Sequence, residues 1–145
     1  MTSTAARTAL DLTADLPVPD LEDLYRDLHR HPELSGQANH TAAQFAERLG
    51  KAGCDTAQGH RRHRSRRGAA VVLLRADMDA LPVQEATGLP YVSETPGVMP
   101  ACGHDLHLTW LTGAAQELAA GRDAWSGTLV VVGQPAKKPA AGRRR

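Results

Sequence analysis

The chain has 145 residues, 41% of them apolar but only five aromatic (Tyr25, Phe45, Tyr91, Trp110 and Trp125), which excludes two full-sized domains and leaves one core of Ala, Val and Leu. The net charge of +1 averages two regimes: residues 60–67 (HRRHRSRR) and 137–145 (KKPAAGRRR) hold ten of the 17 basic residues and no acid, leaving seven bases against 16 acids, net −9, elsewhere. No apolar run approaches the roughly 18 residues of a membrane span, residues 1–19 lack a signal peptide's apolar centre, and two cysteines are too few for a disulfide framework, so a cytoplasmic protein without a membrane partner is expected.

Residues 1–19 are small and polar, are closed by Pro17 and Pro19, and read as a disordered leader. Asp20 follows as the N-cap of a helix with Leu21, Leu24, Tyr25 and Leu28 on one face, stopped by Pro32. A second helix spans about 38–52, buries Ala42, Phe45, Ala46 and Leu49, and takes Gly53 as its C-terminal glycine. The basic tract 60–67 reads as a solvated charged loop or as an electrostatic contact.

Residues 69–75 (AAVVLLR) are continuously apolar up to Arg75, the pattern of a strand covered on both faces. After a loop rich in turn residues, His104–Ala120 reads as a helix anchored by Leu106, Trp110, Ala114 and Leu118 and closed by Gly121. Residues 127–133 (GTLVVVG) read as a second buried strand. Strand, helix and strand at this spacing make a βαβ unit, with parallel strands and a right-handed crossover, so the class is α/β with two N-terminal helices. Ligands gather beyond the carboxyl ends of such strands, which places residues 76–79, 102–107 and 134–138 along one edge.

Two of those segments carry chemistry. In residues 101–107 (ACGHDLH) a thiol and an imidazole stand two apart, and Gly103 between them allows both to face one ion. The S/N pair Cys102 and His104 suits a borderline metal such as zinc, whereas magnesium and calcium prefer oxygen. The alternative is that His104 caps the helix or binds water, and His107, one turn on, either packs or coordinates. In residues 76–82 (ADMDALP), Asp77 and Asp79 either cap the turn or serve a metal or its histidine.

The segments LLRADMDALPVQEATGLPY (73–91), MPACGHDLHLTWLTGAAQEL (99–118) and GTLVVVGQPA (127–136), with LYRDLHRHPELSGQ (24–37) upstream, resemble in wording, spacing and order the amino-terminal part of one enzyme family. It is the aminoacylase/carboxypeptidase-type metal-dependent amidohydrolases, which include hippurate and indoleacetyl-amino-acid hydrolases. The resemblance implies an incomplete amino-terminal part of a zinc-peptidase-like catalytic domain, spanning about 20–136. It also implies a two-metal centre of zinc or manganese that activates water against the amide of a small N-acyl amino acid. Cys102 and His104 would be metal ligands, Asp79 the carboxylate that orients the site, and Asp77 a polar neighbour.

The sequence departs from that family where the chemistry is decided. After Gln134-Pro-Ala the family has Glu-Glu, a general base followed by a metal ligand; here Lys137 and Lys138 stand in those positions. A lysine ammonium neither accepts water's proton nor ligates, and one about 4 Å from a dication at an effective dielectric of about 20 is repelled by about 8 kcal/mol. The tail 137–145 is unlike the family, and the downstream ligands and the lid or dimerisation domain do not follow. The tract 60–67 replaces a glycine-rich hairpin; a shift of reading frame in a GC-rich gene would produce both tracts. A truncated, inactive hydrolase fragment with weak or incomplete metal binding is therefore expected. The alternatives are a metal-binding pseudoenzyme and, from another class, electrostatic contact with nucleic acid. The absence of interleaved aromatics argues against the last of these.

Overall fold

A computed structural model describes residues 18–57, 60–64 and 70–136. The expected leader, apart from its last two residues, and the tail from Lys137 onward lie outside those residues. Helix α1 spans Val18–Arg30 and α2 spans Asn39–Lys51. Strands β1 (Asp55–Ala57), β2 (His60–Arg64) and β3 (Val71–Asp77) follow, then α3 (His104–Ala120), a short 3-10 turn at Arg122–Ala124 and β4 (Thr128–Gln134). No helix among the described residues is long and apolar enough to cross a membrane.

Helix α1 begins two residues before the expected cap. Asp20 therefore lies in the first turn, and its carboxylate pairs at 2.5 Å with Arg48 on α2 instead of capping. A proline at the start of a helix costs nothing, because its missing N–H has no intrahelical partner there, so Pro19 does not delay the helix. Helix α2 ends as the sequence suggests. Gly53 adopts φ 78°, its N–H donates to the Gly50 carbonyl at 2.9 Å, and the Cys54 N–H reaches the Leu49 carbonyl at 3.0 Å, the paired bonds of a Schellman cap.

The sheet has the order β1-β2-β4-β3. Strands β3 and β4 are parallel neighbours joined through α3, with Val71 opposite Thr128 and Asp77 opposite Gln134, which is the expected βαβ unit. Strands β1 and β2 add an antiparallel pair, with β2 hydrogen-bonded to β4 from Arg61–Val131 to Arg64–Thr128. The first five residues of the basic tract are thus a sheet strand and not a solvated loop. Backbone pairing with β4 decides their conformation where their own side chains carry no pattern.

The core joins Leu24 and Leu28 of α1, Phe45 and Leu49 of α2, Leu108, Leu111, Ala115 and Ala119 of α3, and Leu129 and Val131 of β4. Two sequence expectations fail here. Strand β3 is not covered on both faces: among the described residues it is the edge of the sheet, and Val71, Val72 and Leu73 are 67%, 53% and 60% exposed. Its inner positions lean on the core only from Leu74 and Ala76 onward.

Helix α3 also turns a different face inward. Trp110 and Ala114 are exposed and Leu106 and Leu118 half-buried, while Leu108, Leu111, Thr112, Ala115 and Ala119 are buried. Small residues let this helix approach α1 and the sheet closely, and the bulky Trp110 is excluded from the tight seam. Thr112 satisfies its buried hydroxyl by donating to the Leu108 carbonyl one turn back at 2.8 Å.

Candidate metal centre

The carboxyl ends of β3 and β4 gather the expected segments. The Met78 N–H donates to the Gln134 carbonyl at 3.0 Å, carrying the parallel ladder one step past the strands. The Ala80 N–H donates to the Glu33 carbonyl at 2.8 Å, and the Gly36 N–H to the Pro135 carbonyl at 2.9 Å, so the α1–α2 connection closes over the same edge. A bridge between Leu81 and Met99 folds the 78–103 loop back onto it.

At this edge α3 begins. Gly103 sits at its N-cap with φ 71°, a left-handed backbone that a side chain disfavours, and no side chain caps the helix. The turn sends Cys102 to the surface and His104 inward. His104 is 7% exposed, and its Nδ1 donates to the Asp79 carbonyl oxygen at 2.7 Å. The bond leaves Nε2 as the imidazole's lone-pair nitrogen, and Asp77 Oδ2 lies 3.7 Å from it.

Asp79 therefore touches the histidine through its main chain. Its Oδ1 is buried without a hydrogen bond, 3.1 Å from His104 Nδ1 but off the direction of the N–H, which points to the Asp79 carbonyl. A buried acceptor of this kind is costly unless a cation or proton meets it. Asp77 is otherwise engaged: the Arg75 guanidinium grips both its carboxylate oxygens and also donates to Gln134 Oε1, at 2.9 Å through Nε. Because Arg75 and Asp77 are two apart on β3, they share one face of the strand, and Gln134 is the cross-strand neighbour. The structure brings His104, Asp77 and Asp79 together at this edge and leaves Cys102, two residues before His104, exposed; an imidazole and carboxylates with a thiol nearby are donor types that a borderline dication takes.

His107 neither packs nor joins this group. It is exposed, with its ring 6.2 Å from that of His104 and 5.8 Å from that of Trp110. No group of three converging His, Cys, Asp or Glu ligands forms around Cys102 and His104 among the described residues; the one that does is Asp27, His31 and His40.

Beneath the centre lies a polar network that no single-residue reading of the sequence reveals. Buried His29 on α1 contacts Asp105 Oδ2 through Nδ1 at 2.7 Å and Glu85 Oε1 through Nε2 at 3.1 Å. Burial works to raise the Glu85 carboxyl, but the Thr87 hydroxyl, the Ser93 N–H at 2.7 Å and His29 outweigh it and hold it below the ordinary glutamate range. Tyr25 and Tyr91 pack edge-on against the His29 ring, at 5.8 and 5.3 Å between centroids. Burial, then its bond to Tyr91 and the charge of Asp105, push the Tyr25 hydroxyl up to about 12. Asp105 immediately follows His104, so the network fixes the first turn of α3 and with it the histidine.

A second capping device lies in the α1–α2 connection. Glu33 Oε1 accepts the N–H groups of Asn39 at 2.9 Å and His40 at 3.0 Å, and Oε2 that of Thr41 at 2.8 Å. Three open donors of α2 are satisfied by one carboxylate six to eight residues upstream, where the helix itself has no side-chain cap.

Residues 73–137 match the model of peptidase family M20/M25/M40. The chain is 39% identical over 132 residues to thermostable carboxypeptidase 1 of Saccharolobus solfataricus, covering 83% of this chain and 34% of that one. It is 37% identical over 132 residues to an N-acetylcysteine deacetylase of Bacillus subtilis, covering 86% and 35%. Among solved structures, a Bacillus subtilis protein described as a dinuclear metal binding peptidase from the M20 family superposes with a TM-score of 0.79 at 36% identity, over 85% of this chain and 36% of that one. The chain spans about a third of the length of these relatives.

Proposed function

We propose that the chain is a member of the M20/M25/M40 peptidase family, whose model matches residues 73–137, and the metal-binding part of a hydrolase acting on the amide bond of small N-acyl amino acids. Cys102 and His104 hold a divalent cation, zinc or manganese. The observation that carries this reading is the 2.7 Å bond from His104 Nδ1 to the Asp79 carbonyl, which fixes the tautomer and presents Nε2. When bound, the metal supplies Lewis-acid polarisation of a carbonyl oxygen.

The chain's own residues do the positioning. Gly103 makes the left-handed turn that opens α3 between Cys102 and His104, and the Asp79 backbone carbonyl holds the imidazole. Arg75 neutralises Asp77, so that this carboxylate orients without competing for His104's proton. The substrate class is supported by the acylated amino acid named in the Bacillus subtilis deacetylase.

An inactive form of this hydrolase is what the sequence of this chain favours, with a weak metal-binding pseudoenzyme as the alternative, because Lys137 and Lys138 supply neither a general base nor an anionic ligand. The test is release of free amino acid from N-acetyl and N-benzoyl amino acids with added zinc or manganese. No turnover is expected from the chain as it stands. Turnover that a chelator abolishes would overturn the inactive form and leave the family function; zinc uptake unaffected by Cys102→Ser would overturn the ligand assignment.

A further inference from the structure

We propose that Asp27, His31 and His40 form a second divalent-metal site, for zinc or a similarly borderline cation, built on α1 and α2 and separate from Cys102 and His104. The proposal does not depend on the function assigned above. Asp27 lies in the last turn of α1 and His31 is the first residue past its end, kept in helical register by its N–H bond to the Asp27 carbonyl at 3.1 Å, so the two side chains share one face, and His40 comes from the first turn of α2.

The Asp27 carboxylate already divides itself between the two rings. Its Oδ1 lies 3.0 Å from His31 Nδ1 and its Oδ2 lies 2.8 Å from His40 Nε2. The three ligand atoms all fall within 4.8 Å of one another, and the two imidazoles meet edge-on with centroids 5.2 Å apart. Side-chain exposures of 34%, 45% and 39% for Asp27, His31 and His40 leave the cluster open to an ion and to a completing water.

Its parts are held in place before any ion arrives. The His40 backbone is fixed by its N–H donating to Glu33, and His31 Nδ1 rests 2.9 Å from the Asp27 carbonyl. On the far side of the His31 ring, Glu94 Oε2 lies 3.6 Å from Nε2. When the cation takes the Nδ1 lone pair of a neutral His31, the ring proton sits on Nε2, on the side where the Glu94 carboxylate supplies a nearby negative charge. His40 binds through Nε2 and keeps its proton on Nδ1. Two imidazole nitrogens, one carboxylate oxygen and an open position form a donor set that zinc accepts and magnesium does not.

The test uses the full chain carrying Cys102→Ser and His104→Ala, so that the other centre contributes nothing, titrated with zinc by calorimetry. One equivalent should bind and raise the thermal midpoint, magnesium should do neither, and His31→Gln with His40→Gln should weaken zinc at least tenfold. Absence of zinc binding, or an affinity indifferent to the two glutamines, would overturn the site. Should the doubly substituted protein fail to fold, the ring-proton resonances of His31 and His40 in the parent decide. They shift as zinc is raised beyond two equivalents, enough to fill both centres, if the site exists, and resonances unshifted in that excess refute it.

Discussion

His29 on α1 and Asp105 on α3 meet at 2.7 Å across 76 residues of sequence, both buried, and the imidazole's other nitrogen reaches Glu85 at 3.1 Å. One histidine therefore ties the first helix, the long loop and the turn that carries His104. Removing it leaves the buried Asp105 and Glu85 carboxylates without their shared imidazole, Glu85 keeping only the Thr87 hydroxyl and the Ser93 N–H. His29→Ala should cost about 3–5 kcal/mol, a large share of the about 5–15 kcal/mol that holds a domain. Urea unfolding monitored by circular dichroism checks this, and a loss under 1 kcal/mol would mean that water replaces the imidazole at little cost.

Glu33 makes stability depend on acid. Burial opposes its charge, but the N–H of Thr41, that of His40, the Thr41 hydroxyl and the N–H of Asn39 outweigh it and hold its carboxyl below the ordinary value of 4.5. A carboxyl depressed on folding contributes stability that is fully present above its unfolded value and is lost as the pH falls through its folded value. Glu33→Gln should lower stability at neutral pH by about 1 kcal/mol and flatten the decline below about pH 4.5. Urea midpoints across pH 3–7 give both quantities for the two proteins.

Gly133 is required by packing. A Cβ there would sit 2.6 Å from Met78 Sδ and 3.1 Å from the Phe45 ring. Methionine yields easily, but the buried Phe45 does not. Gly133→Ala should destabilise by about 1–3 kcal/mol, and adding Phe45→Leu should recover part of that loss. Additive effects in this double-mutant cycle would contradict the steric account.

The edge of the sheet should govern solubility. Val71 and Leu73 point from β3 to solvent on one face, at 67% and 60% exposure, and an apolar edge strand invites pairing with another chain. Val71→Lys with Leu73→Lys should raise the concentration at which the chain stays monomeric, with stability changed by no more than about 0.5 kcal/mol per site. Light scattering against concentration measures this.

The sequence made parts of this structure legible. Helix α3 from His104 to Ala120, the parallel partnership of 71–77 with 128–134, and the shared edge near Asp79 and His104 all follow from period, glycine punctuation and topology. What it hid has a common physical cause: those features depend on partners distant in sequence. The tract from His60 to Arg64 becomes a strand only through its ladder to β4. His29, Glu85 and Asp105 are unremarkable charged residues until folding buries them together, and Glu33 caps a helix that starts six residues later. The inward face of α3 departs from the bulky apolar stripe in its sequence because the close helix seam selects Thr112 and Ala115 over Trp110.

The assignment of Cys102 and His104 as ligands is the centre of the account, and cobalt substitution tests it most directly. A thiolate bound to cobalt(II) gives an intense near-ultraviolet charge-transfer band that imidazole and carboxylate ligands do not. The chain should develop this band on titration with cobalt and lose it in Cys102→Ser, while Cys54→Ser, at a buried core position, leaves it intact. Absence of the band in the unsubstituted chain, or a band that survives Cys102→Ser, would contradict the account.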